Sequence, residues 1–99
     1  MISVLKSQTI NGSSSVFGLG SDSAKREDSE AQRVVVATGT FAGATITITV
    51  SGNGVDFAPL TSNTFTAPGV KGENLPNELF IKAEVTGATG TTDVSLHVA

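Results

Sequence analysis

The sequence predicts an all-β domain: an antiparallel β-sandwich or jelly-roll-like small barrel of about seven to eight short strands. Three observations carry this expectation. Ile46, Ile48 and Val50 alternate with Thr45, Thr47 and Thr49, a period of two that puts apolar side chains on one face and hydroxyls on the other. Leu79, Ile81, Ala83 and Val85 alternate in the same way with Phe80, Lys82, Glu84 and Thr86. Turn residues recur about every eight to twelve positions, the spacing of strands in sandwiches and small barrels.

The elements follow in order. Residues 1–12 read as an N-terminal extended arm or edge strand, with Ile2, Val4 and Ile10 set among Ser and Lys. Residues 13–99 read as a single β-sandwich domain. Asn11-Gly12 and the serines after it form a turn. Val16 and Phe17 make a short strand that Gly18 and Gly20 stop. Residues 21–33 hold seven of the fifteen charged side chains. They have no apolar stripe with which a helix could dock. This segment reads as a solvated loop or one helical turn, with a polar contact to a neighbouring subunit as the functional alternative.

Residues 34–38 are nearly continuous in apolar side chains, as in a strand buried on both faces. Gly39 and Gly43 bracket Phe41. Residues 44–51 are the alternating strand, and Gly52-Asn53-Gly54 supplies the left-handed conformations of a hairpin. Residues 55–60 return as its partner, with Pro59 near the end. A short strand is expected at residues 64–66. Residues 70–77, which contain Gly72 and Pro76, read as a loop. Residues 78–86 and 92–98 then form a last hairpin around Gly87 and Gly90, with Val94, Leu96 and Val98 inward.

Composition narrows the function. Ninety-nine residues are enough for one domain, which buries roughly two-thirds of its unfolded surface. Charged residues make up 15% and the net charge is −3. Six Lys and Arg among nine acids make no phosphate-tracking stripe, and no aromatic run offers base stacking. No nucleic-acid partner is expected. Nor is a membrane partner, because no stretch approaches the roughly eighteen apolar residues of a span. The first fifteen residues lack the apolar core of a signal peptide. There is no cysteine and therefore no disulfide framework. Domains this small are often supported by oligomerisation.

No constellation of catalytic residues stands out, so the expected catalytic, metal and cofactor sites are none. His97 is the single histidine and falls on the polar phase of its strand with Asp93 and Ser95. A zinc site needs more nitrogen and sulfur ligands than that. Asp56, Glu73, Glu78, Glu84 and Asp93 sit at turns or on wet faces, where solvated charges are the expectation. Asn53, Asp56 and Asn63 are too sparse for a calcium loop. The Gly- and Ser-rich stretch at residues 12–21 lacks the Gly-Lys-Ser/Thr ending of a phosphate loop. Phe80 stands out as a large apolar side chain on a face shared with Lys82 and Glu84. Either a loop or a partner subunit covers it. Ile2, Val4, Leu5, Phe80 and Lys82 are therefore the candidate subunit or capsid interface.

The run Gly39-Thr40-Phe41-Ala42-Gly43, the alternating strand, and Ser51-Gly52-Asn53-Gly54-Val55-Asp56-Phe57 with Pro59-Leu60 resemble a recurrent pattern. The last two strands around Gly87 and Gly90 extend it. It is similar to small β-sandwich virion proteins of tailed bacteriophages: capsid decoration or cement proteins, and head-fibre or tail adaptor domains. The resemblance covers about residues 33–98. It implies a non-enzymatic protein on the outer surface of the phage head, made in the host cytoplasm. That protein would bind the major capsid protein and bridge capsomers, as a homotrimer. The resemblance also implies an alternative, a glycan- or receptor-binding head-fibre or tail adaptor module. That role requires Phe57, Phe65 and Phe80 to form an exposed platform. Such modules often carry Trp where this chain has Phe57, a departure that weighs against the platform.

Overall fold

The computed structural model describes residues 2–20 and 32–99. The loop or helical turn expected at residues 21–33 lies, up to residue 31, outside the described residues. Nine strands are present among those described: β1 (Ile2–Gln8), β2 (Gly12–Ser13), β3 (Phe17–Gly18), β4 (Gln32–Thr40), β5 (Thr45–Ser51), β6 (Ala58–Phe65), β7 (Gly69–Asn74), β8 (Phe80–Thr86) and β9 (Asp93–Val98). They form two antiparallel sheets, one ordered β1-β9-β4-β7 and the other β2-β8-β5-β6, with β3 also paired to β8. β2 and β3 meet β8 in succession and act as one interrupted strand. Apart from that pair, only β5 and β6 are neighbours in both sequence and space; every other connection crosses between sheets. This order is that of a double-sheet jelly roll, and the expected all-β class is met.

The core forms where the two inner faces meet. Ile46 and Ile48 of β5 and Ile81, Ala83 and Val85 of β8 face Val35 and Ala37 of β4 and Val94, Leu96 and Val98 of β9, all essentially fully buried. The period-two expectation holds for all four strands, except that Val50 is only half-buried. β4 departs from the expectation of burial on both faces. Val35 and Ala37 are buried, whereas Val34 is exposed and Val36 half-buried, so β4 has one wet face like its neighbours. β1 is an edge strand of the first sheet and pairs with β9 of the same chain. Its register shifts between Ser3 and Leu5, a bulge that lets the consecutive Val4 and Leu5 both turn inward.

Three further expectations are corrected. Residues 70–77 are not a loop throughout, because β7 pairs in unbroken register with β4, with Gly72 opposite Val34. Residues 55–60 and 64–66 are not separate strands but parts of β6, whose pairing with β5 is irregular between Thr47 and Thr49. The last two strands are not a hairpin: β8 and β9 belong to opposite sheets. The connection over residues 87–92 is therefore an arch over the top of the core.

The strand directions sort the connections. Residues 9–11, 41–44, 66–68 and 87–92 lie at one end of the sandwich, here called the upper end. Residues 52–57 and 75–79 lie at the lower end, together with residues 19–20. The long dimension of the molecule is 41 Å, against 25 and 23 Å across.

Candidate functional site

The structure divides the five expected interface residues. Ile2, Val4 and Leu5 are 6%, 5% and 2% exposed and belong to the chain's own core. Their side chains face β9 and the opposite sheet, so they offer no apolar surface to a neighbour. Phe80 and Lys82 do lie on the outer face of the second sheet, opposite Ser51 and Thr49 of β5. Phe80 is half-buried. Gly18 and Gly54 approach its ring so closely that a Cβ on either would come within 3.4 and 3.7 Å of it. The chain's own connections thus cover Phe80. Lys82 Nζ stands 4.5 Å from the centre of the Phe57 ring, a cation–π arrangement.

The turn between β5 and β6 is built to hold this corner. Ser51 Oγ accepts from the main-chain N–H of Asn53 and of Gly54, at 3.2 and 2.9 Å. Asn53 Oδ1 accepts from the N–H of Val55 and of Asp56, both at 2.9 Å. Asn53 Nδ2 donates to Asp56 Oδ2 at 3.0 Å. A short polar side chain that satisfies the main chain of its own turn is the physical reason Asn and Ser concentrate there. Asp56, a candidate carboxylate in the sequence, is committed to this turn.

The three phenylalanines do not form one platform. Phe65 is 3% exposed and lies under Lys71, whose Nζ is 4.7 Å from its ring centre. Phe57 and Phe80 remain together, both half-buried. His97 lies on the outer face of the first sheet, with Nδ1 3.1 Å from Ser3 Oγ. No carboxylate hydrogen-bonds it among the described residues. No three His, Asp or Glu side chains among the described residues cluster closely enough to hold a metal ion.

Two features were not expected from the sequence. Arg33, read as part of a solvated segment, is only 2% exposed and organises the lower end. Its guanidinium donates to the main-chain oxygens of Leu75 and Leu19 and to Asn77 Oδ1. The sequence signal was faint: a single cation directly preceding an apolar run.

The second feature is the hydrogen-bonded upper end. Asn11 Oδ1 accepts from Ala88 N at 2.8 Å. Thr89 Oγ1 donates to Ala42 O at 3.1 Å, and Thr92 Oγ1 to Phe41 O at 3.0 Å. Thr92 Oγ1 also accepts from Thr89 N at 2.9 Å. The connections at residues 9–11, 41–44 and 87–92 are thereby latched to one another. Between the first and the last lies an open depression of about 470 Å³ lined by Thr9, Ile10, Asn11, Ala88, Thr89 and Gly90. Compared with known proteins, the chain matches no family model, no curated protein and no solved structure.

Proposed function

We propose that this chain is a non-enzymatic structural protein of a phage virion, a capsid decoration protein. In this reading it binds the outer face of the head through the major capsid protein, as a homotrimer, and stabilises the shell by bridging capsomers. The observation that carries the reading is the strand order, β1-β9-β4-β7 against β2-β8-β5-β6, an architecture much used in viral capsid proteins. Support also comes from how the polar side chains are used. Arg33, Ser51, Asn53, Thr89 and Thr92 hold connections in place. A cement protein needs such a rigid body, and many copies on a shell turn modest single contacts into strong attachment.

The test is cosedimentation of the purified chain with shells of the encoding phage that lack it, followed by heating of the shells. Saturable binding at a fixed number of copies per shell, with a raised disassembly temperature, is the expected result. A chain that stays in the supernatant at every concentration would overturn the reading.

A further inference from the structure

Resting on that reading of a capsid-bound homo-oligomer, we propose that the copies meet through the upper end. Ile10 of one copy seats in the depression between residues 9–11 and 88–90 of the next. Ile10 is 69% exposed and stands at the tip of the β1–β2 connection. It is held there, because Gln8 Nε2 donates to its main-chain oxygen at 2.9 Å. An apolar knob fixed in water beside an open depression is the form that self-association takes when one surface complements the next.

Charge selects the occupant. The connections at residues 9–11, 41–44, 66–68 and 87–92 contain no charged residue, although the chain carries fifteen and a net charge of −3. Like-charged copies repel where those charges face one another. They meet at the upper end without burying or opposing any, save Asp93 at its rim. Interface centres are depleted in charge and leave polar groups to the rim. The latches from Asn11, Thr89 and Thr92 fix the surface beforehand, so docking orders little that is not already ordered. The knob and the depression are different surfaces, so the contact closes as a ring, which three copies complete in the proposed trimer.

The experiment is light scattering behind a sizing column for the wild type and three variants, with circular dichroism to check each fold. Ile10→Asp removes the knob and disturbs no buried contact. Gly90→Gln fills the depression from a position where an added Cβ meets nothing within 4 Å and no left-handed backbone is required. Val55→Asp is the control, 78% exposed at the opposite end. The expected wild-type mass is three times the 10.0 kDa of one chain. It should fall to one chain in the first two variants and stay whole in the third. A wild type at the mass of one chain throughout, or an oligomer that Ile10→Asp leaves intact, overturns the contact. Either result can coexist with shell binding, so it does not decide the capsid reading.

Discussion

Arg33 Nε donates to the main-chain oxygen of Leu75 at 2.7 Å, across 42 residues of sequence. The same guanidinium reaches Leu19 O at 3.4 Å and Asn77 Oδ1. One side chain at the start of β4 thus ties the connection after β3 to the connection between β7 and β8. A guanidinium suits this work because its donors diverge in a plane and its charge strengthens each bond.

Arg33→Met should therefore destabilise the fold by about 3 kcal/mol, because buried carbonyls lose a charged donor that no water replaces. Arg33→Lys should recover little of this, since one ammonium cannot serve acceptors that diverge. Urea denaturation midpoints measure both. A midpoint unchanged in Arg33→Met would show that the guanidinium is incidental to the lower end.

Gly39 occupies the most restrictive backbone site, with φ at +108° in β4. A Cβ there would stand 2.1 Å from the carbonyl oxygen of Asp93 on β9, an overlap with main chain that no rotamer relieves. Gly39→Ala should cost about 3 kcal/mol or more, combining left-handed strain with displacement of β9. Gly43→Ala is the control: its φ is +91° but nothing lies within 4 Å of the added Cβ. It should cost only about 1 kcal/mol, from backbone strain alone. Equal thermal midpoints for the two variants would contradict this account of Gly39.

What the sequence made legible, and what it did not, follows from the range of the interactions. The inward faces of β5, β8 and β9 could be read because alternation is local and each strand has one dry side. β7 was hidden because Gly69, Gly72 and its two charges give no alternation, and because it is an edge strand no residue of which is fully buried. The arch at residues 87–92 looks locally like a hairpin. Thr92 Oγ1 binding Phe41 O, a contact spanning 51 residues, helps to fix it over the core instead. Arg33 and the interface expectation for Ile2, Val4 and Leu5 failed for the same reason. Burial is decided by which distant strand arrives, and a short apolar segment is equally suited to a neighbour's sheet or its own.

Ile48 lies at the centre of β5, fully buried, opposite Ala83 of β8. Ile48→Asp places a carboxylate among aliphatic side chains with no donor facing it, a penalty comparable with the whole stability of a small domain. The variant should lack the far-ultraviolet circular dichroism of the native sheet at neutral pH. A native spectrum would refute the inward assignment of this face.

The Lys82–Phe57 pair is a smaller effect with a cleaner measurement. A cation 4.5 Å from a ring centre at a half-buried site contributes about 1 kcal/mol. Lys82→Gln and Phe57→Leu should each destabilise slightly. Their double variant should show a coupling of about 0.5 to 1 kcal/mol in a double-mutant cycle. Additivity within error would mean that the lysine merely lies over the ring.

Deleting residues 1–12 distinguishes an assembly arm from a structural strand. An arm that serves only neighbours can be removed with loss of the oligomer and a fold intact. β1 instead puts Ile2, Val4 and Leu5 into the core and pairs with β9. Burying three such side chains contributes roughly 5 to 8 kcal/mol, much of what a domain of this size has in total. The truncated chain should therefore be unfolded or expanded, with a broadened amide proton spectrum and no cooperative thermal transition. A folded monomer with a sharp transition would show that β9 keeps its place without β1, and would return the segment to the role of an assembly arm.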